Sequence, residues 1–240
     1  MHTEWKEKDR TRHFTYLSGA MDYELGEPNV LLLDQAFFEI EGKKGGPLEA
    51  LKIEDSLRMK YGYSLRTESF PQPWLRVGTE SHGTRKLKLR YEFFAEIQTE
   101  KVKLAMETEH GWKIWLNGKA AVETDEFWID RAFTVYRLPA IQEGRNFLEV
   151  ELPFGEKTAL EWAYLIGDFG VLTDGTNQTM TSSPSKLRFG DISRQKLPFY
   201  GGNIIYHRKI NLEAKARVQI QIPNFEGALV SAPLKGVTEE

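Results

Sequence analysis

The stretch that most constrains the fold covers residues 86–98 and reads KLKLRYEFFAEIQ. Its apolar residues fall on one parity: Leu87, Leu89, Tyr91, Phe93, Ala95 and Ile97. The other parity is charged or polar, with Phe94 as the exception. Because successive side chains of a β-strand point to opposite faces, this period of two predicts a half-buried strand.

Similar signals recur along the chain. Residues 148–152 alternate after the turn residues EGRN, and residues 215–222, KARVQIQI, alternate until Pro223 stops them. The pair Asn117-Gly118 between KIWL and KAAV predicts a type I′ hairpin turn, in which both central residues need a positive φ. Short strands with regular turns predict an all-β, two-sheet antiparallel β-sandwich. The predicted core includes Leu87, Leu89, Tyr91, Phe93, Ile97, Ile114, Leu116, Leu148, Val150 and Leu152.

One short helix interrupts this pattern. Over 47–61 the apolar residues Ala50, Ile53, Leu57 and Tyr61 recur at steps of three and four, from a proline start to a stop at Gly62. The polar run TDGTNQTMTSSPS, residues 173–185, is typical of a linker. We therefore predict an N-terminal linker segment (1–28), a sandwich (29–182) and an incomplete second sandwich (183–240).

The composition argues against several classes of protein. Hydrophobic residues make up 40% of the 240 residues, enough for a sizeable core, and the net charge of −3 gives no electrostatic reason to expect nucleic acid or a membrane surface as partner. No apolar run is long enough to span a bilayer. The first 20 residues lack the apolar core of a signal peptide, which slightly favours a cytoplasmic location. The absence of cysteine removes disulfides and thiolate chemistry.

No catalytic set is evident. The five histidines have no metal-ligand spacing, and the nucleophile-elbow and glycine-rich phosphate-loop motifs are absent. We therefore expect neither a metal nor a cofactor. Glu161 and Asp168, in ALEWAYLIGDFG, are the carboxylates that best fit a glycosidase pair. They are seven positions apart, so on one continuous strand they would face opposite ways, and we assign no catalytic residue.

Tryptophan is the more informative residue type. Aromatic rings stack on the apolar C–H faces of sugars, so exposed Trp side chains are typical of carbohydrate binding. Trp112 shares its parity with core positions and is expected in the core. Trp115 has the opposite parity, which predicts an exposed ring beside the hairpin.

Five residues are therefore candidate ligand contacts: Trp115, Asn117, Trp128, Asp130 and Arg131. For the tryptophans the alternative is ordinary core packing. For Asp130 and Arg131, in FWIDRAF, the alternative is a buried or edge ion pair that orients a loop.

The order of several motifs also resembles a known group of proteins. The motifs are EPNVLLLDQAFFEI, FPQPWLRV, KIWLNGKAAV, LPAIQEGRNFLEVELPF, LEWAYLIGDFGV and FGDISRQKLPFYGGNIIYHRKI. Over about 27–230 they are similar to the non-catalytic region of large bacterial glycoside hydrolases, namely α-L-rhamnosidase-like enzymes and the sugar-binding domains of β-galactosidase and β-glucuronidase relatives. This resemblance implies a galactose-binding-like jelly roll that packs on a catalytic (β/α)₈ barrel, and LPFYGGNIIY as the start of another such domain.

Three functional hypotheses follow. The first is an accessory, non-catalytic module of a glycoside hydrolase-like protein, with weak carbohydrate binding and the parent's barrel as partner. The alternative is a self-standing carbohydrate-binding module or lectin. The third, a small complete enzyme, requires two carboxylates about 5–10 Å apart in a cleft.

Overall fold

The computed structural model describes residues 18–65, 83–211, 220–221, 227 and 229–233. They belong to two compact units, one that extends to His207 and one that begins at Arg208. In the second unit none of the described residues belongs to a helix or strand. In the first unit the described residues form β1 (Asp22–Leu25), β2 (Asn29–Leu33), β3 (Gln35–Ile40), β4 (Lys43–Glu49), α1 (Ala50–Tyr61), β5 (Arg85–Ala95), β6 (Val102–Glu107), β7 (Lys113–Leu116), β8 (Lys119–Ala120), β9 (Val122–Trp128), β10 (Asp130–Arg137), β11 (Gly144–Phe154), β12 (Ala163–Gly167), β13 (Gly170–Asp174), β14 (Asn177–Thr181) and β15 (Ile204–His207).

Two large sheets make the body of this unit. The first has five antiparallel strands in the order β2-β12-β6-β10-β9. The second centres on β5 and β11, which pair over eleven residues each, with the β7–β8 hairpin beyond β11. The other edge of β5 is shared: β3 pairs along residues 87–91, with β4 beyond β3, and β14 pairs in parallel at Phe94 and Ala95.

The sheets bury their facing sides in one core. Leu31, Leu104 and Leu165 of the first sheet lie in the same buried cluster as Leu89 and Leu148 of the second. All ten residues of the predicted core belong to this cluster, nine of them buried and Ile97 half-buried at its margin. The predicted all-β antiparallel sandwich with one helix is confirmed.

The helix packs with its predicted face but begins later than predicted. Ala50, Ile53 and Leu57 are buried, and Gly62 ends the helix at φ 71°. Pro47 does not start the helix, because it lies in β4, whose backbone pairs with β3. The strand pairing overrides the local signal of the proline.

A buried ion pair ties α1 to the sandwich. Arg58 Nε donates to Glu54 Oε1 at 2.6 Å, and both side chains are 1% exposed. Arg58 Nη2 donates to the Thr158 carbonyl at 2.8 Å, and the Leu160 N–H donates to Glu54 Oε2 at 2.7 Å. The pair therefore links the helix to the segment that follows β11.

The polar segment 173–185 is not the linker that its composition predicts. It contains the end of β13, a turn at Gly175 with φ 58°, and strand β14. The backbone of β14 bonds to β13 on one side and to β5 on the other, while Met180 fills the core. Polar side chains suit this strand because much of it lies at the margin of the sheet.

The predicted linker 1–28 also contains structure. Its β1 pairs antiparallel with β15, so residues 204–207 belong to the first compact unit and do not open a separate domain there. Residues 1–17 lie outside the described part of the chain. The predicted strand 215–222 lies almost entirely outside it, and its two described residues, Ile220 and Gln221, are exposed and unpaired. The incomplete second sandwich stays a prediction.

The glycine pair of LPFYGGNIIY has a steric reason. The Glu27 carboxylate accepts hydrogen bonds from the Asn203 N–H at 2.6 Å, the Asn203 amide at 2.9 Å and the Tyr200 hydroxyl at 3.0 Å. A Cβ on Gly202 would lie 2.1 Å from Glu27 Oε2. The absence of a side chain at 202 thus allows the Glu27 carboxylate to approach this segment and accept these hydrogen bonds.

Candidate functional site

The outer face of the five-stranded sheet carries an apolar patch. Val30, Ala105, Val135 and Ile166 form a cluster separate from the main core, yet each is buried, with at most 6% of its surface exposed. Their cover comes from partly buried aromatic side chains: Trp128, Tyr164 and Phe199. Trp128, one of the predicted ligand contacts, is therefore seated on the sheet.

Three aromatic rings hold one another in place on this face. The Trp128 ring lies 5.9 Å from the Phe133 ring, edge to face, and 5.3 Å from the Tyr164 ring. Phe133 and Tyr164 also meet edge to face at 5.6 Å. Burial, with the Glu161 and Glu107 carboxylates nearby, raises the pKa of Tyr164. Such a triangle fixes the orientation of Trp128.

A tight hairpin between β9 and β10 presents Trp128. Trp128 and Asp130 are directly paired, so Ile129 alone reverses the chain. Ile129 adopts φ 62° and is 80% exposed, which is an outlier for a β-branched residue. The Asp130 carboxylate accepts the Ala132 N–H at 2.8 Å. The pairing resumes at Thr134, with a second register shift before Tyr136.

A shallow groove of about 260 Å³ lies beside Trp128. It is lined by Pro28, Lys101, Lys103, Glu126, Phe127, Trp128, Val135, Ile166 and Gly167. Lys103 Nζ donates to Glu126 Oε2 at 2.5 Å. A Cβ on Gly167 would lie 2.7 Å from the Lys101 carbonyl, so bare backbone forms this part of the lining. The volume falls below the usual range for drug-sized ligands, which begins at about 300 Å³, and suits a single small ring.

Three of the predicted ligand contacts lie together at this hairpin. Trp128 lines the groove, Asp130 caps the turn, and the Arg131 guanidinium lies 5.8 Å from the ring centre of Phe127. Both Asp130 and Arg131 are exposed, and within the described ranges no salt bridge joins them. The predicted ion pair is wrong, because the turn engages the carboxylate with backbone while the guanidinium turns to an aromatic ring.

The structure separates Trp115 and Asn117 from this groove. Trp115 is half-buried on the outer face of the other large sheet, where it pairs with Glu149. Asn117 and Gly118 have φ of 50° and 76°, as the predicted type I′ turn requires. Asn117 Nδ2 donates to Asn146 Oδ1 and its Oδ1 accepts the Phe147 N–H, both at 2.8 Å. The Asn117 amide therefore holds the hairpin to β11.

The carboxylates Glu161 and Asp168 do not form a catalytic pair. They lie on either side of β12, whose extended residues Ala163–Gly167 span about 13 Å on their own. Asp168 is exposed and accepts a hydrogen bond from the Ser183 hydroxyl at 2.5 Å. This separation exceeds the 5–10 Å that glycoside hydrolysis uses.

Sequence reasoning missed several groove residues, notably Lys103, Glu126 and Phe127. No local signal marks them, because they lie on different strands and become neighbours only when those strands pair. Lys103, for example, pairs with Ile166 on one side and with Arg137 on the other. Trp112 is partly buried against the main core, as expected, whereas Trp5 and Trp74 lie outside the described residues.

Three further observations concern the described residues and the chain as a whole. Among the described residues, no group of three or more His, Asp or Glu side chains could hold a metal ion. No described helix combines the length and apolar character that crossing a bilayer requires. No protein-family model, curated protein or solved structure significantly matches this chain.

Proposed function

We propose that this chain is an accessory, non-catalytic β-sandwich module of a glycoside hydrolase-like protein that acts on plant or microbial glycans. In this proposal it binds carbohydrate weakly, through the groove beside Trp128. The resemblance of its motif order to such modules supports a glycoside hydrolase-like parent protein. The groove supports carbohydrate as the ligand.

The observation that carries the proposal is an aromatic ring fixed beside a charged pair in an open groove. Trp128 offers apolar area to the C–H face of a sugar, while Lys103 and Glu126 offer a donor and an acceptor to its hydroxyls. Because Phe133 and Tyr164 already fix the Trp128 ring, binding loses little side-chain freedom. The same cluster also covers an apolar patch, so its structural role and its binding role coexist.

Binding should be weak. The groove is shallow, and a sugar is well hydrated before it binds, so only a small surplus of free energy remains. We expect a dissociation constant near 1 mM for a simple glycoside, which corresponds to about −4 kcal/mol.

The experiment is an NMR titration of the whole chain with methyl glycosides of common hexoses and rhamnose. Trp128→Ala should abolish the shifts, whereas the matched change Trp115→Ala, on the opposite sheet, should leave them unchanged. Phe133→Leu should weaken binding without removing a groove residue. Loss of binding in Trp115→Ala but not in Trp128→Ala would place the ligand on the other sheet and contradict the proposal.

The alternative is a self-standing carbohydrate-binding module or lectin that uses the same groove. The two differ in whether a catalytic barrel belongs to the same polypeptide. A reading frame that continues into a (β/α)₈ barrel favours the accessory module. Stop codons directly flanking the coding sequence, together with micromolar binding of an oligosaccharide, favour the lectin.

A further inference from the structure

We infer that the groove prefers a sugar with an anionic substituent, either a uronate carboxylate or a sulfate ester, over the corresponding neutral sugar. This inference rests on the proposed function, because it specifies the ligand class of the same groove. It comes from the balance of charges around Trp128.

Two lysines and one carboxylate line the groove. Lys103 and Glu126 neutralise each other at 2.5 Å. Lys101, which is exposed, has no salt-bridge partner among the residues that the structure describes. The lining residues therefore carry a formal net charge of +1.

The other charges near the hairpin do not cancel this excess. Asp130 and Arg131 are adjacent at the tip and balance each other formally. Glu123 pairs with Tyr136, a residue of the main core whose pKa is raised by burial and, to a smaller extent, by the Glu123 carboxylate. Asp125 is exposed on β9 but does not line the groove.

A neutral sugar and its anionic derivative would share the contact with Trp128, so their difference measures the electrostatic contribution. Exposed ion pairs change an equilibrium by about two- to five-fold, and salt screens them. At an ionic strength of about 0.01 M the Debye length is about 30 Å, whereas at about 1 M it is about 3 Å. The preference should therefore be present at low salt and absent at high salt.

The test is an NMR titration of the full chain with methyl galactoside, methyl galacturonoside and galactose 6-sulfate, at both ionic strengths. We expect the anionic ligands to bind about two- to five-fold more tightly at low salt. Lys101→Gln should bring the ratio of the neutral to the anionic dissociation constants, measured within that variant, to about one at low salt. Lys88→Gln, which removes the same charge from the opposite sheet, should keep the preference.

The possible outcomes separate the two proposals. Equal binding of all three ligands at low salt, or a preference that survives Lys101→Gln, overturns the inference and leaves the proposed function intact. A preference for one anion alone supports it and identifies the carboxylate or the sulfate as the group recognised. Failure of every sugar to bind at about 50 mM, far above the expected dissociation constant, overturns the proposed function itself.

Discussion

The buried pair Glu54–Arg58 gives the sharpest stability prediction. Arg58→Met keeps much of the side-chain length but removes the charge that faces the Glu54 carboxylate at 2.6 Å. It also removes the donors to the Thr158 and Ser64 carbonyls, at 2.8 and 3.0 Å. The variant therefore removes the Arg58 cation from the Glu54 carboxylate, in a site where both side chains are 1% exposed.

The magnitude follows from that burial. Removing one partner of a buried ion pair costs about 3–5 kcal/mol, because the remaining charge stays desolvated without the counter-charge that the pair supplied. A domain's whole stability is about 5–15 kcal/mol, so the change takes a large share of it. With a urea m-value of about 3 kcal/mol/M, the unfolding midpoint should fall by about 1–1.7 M.

The assay is urea unfolding of four proteins: wild type, Arg58→Met, Glu54→Leu and the double variant. Both single variants should be strongly destabilised. The double variant should lose much less than the sum of the single losses, since apolar residues of similar volume often replace a buried pair at little cost. Lys52→Met is a matched control on the same helix. It breaks the exposed contact to Glu49 at 3.8 Å and should cost less than about 1 kcal/mol.

Two results would refute this reasoning. A loss below about 1 kcal/mol for Arg58→Met would mean that the site is well hydrated in solution. Strict additivity in the double variant would mean that the two side chains act independently, so the ion pair would not be what ties α1 to the segment after β11.

Two further predictions concern the loops. Ile129→Gly should raise the free energy of unfolding by about 1 kcal/mol, because glycine tolerates φ 62° and an 80% exposed side chain loses little burial. Val122→Gly, within strand β9, is the matched control, and it should lower the stability measured in the same thermal melts. The hydrogen bonds from Asn203 and Tyr200 lower the pKa of Glu27 from 4.5, so the Glu27 contribution to stability is present above about pH 4.5 and is lost as the pH falls through the folded-state value. In Glu27→Gln the melting temperature should fall less steeply at acid pH than in the wild type. An unchanged pH dependence would show that the hydrogen bonds of the Glu27 carboxylate do not contribute to stability.

Local patterns predicted the elements whose side chains carry the signal. The alternation over 86–98 predicted β5 and its buried parity, and Asn117-Gly118 predicted its turn, because residue i and residue i+2 of a strand share a face whatever lies opposite. The buried face of α1 was predictable for the same kind of reason. The start of the helix was not predictable, because Pro47 lies in β4, and the pairing of β4 with β3 is an interaction that the local sequence does not encode.

The same distinction explains β14. Its composition is that of a loop, and its order comes from backbone hydrogen bonds to β13 and to β5, about 85 positions away in the chain. Backbone groups are identical in every residue except proline, so composition cannot reveal which partner will satisfy them.

The sequence by itself determined the sandwich and its core parity, whereas the exposed ring predicted for Trp115 is half-buried in the structure. The tertiary structure alone decided which of the tryptophans border a groove. Trp128 lies beside Lys103 and Ile166 because β9, β10, β6 and β12 are neighbours in one sheet, while Trp115 belongs to the opposite sheet. The physical reason is that a strand's period sets the face of each side chain, whereas its neighbours across the sheet depend on long-range pairing.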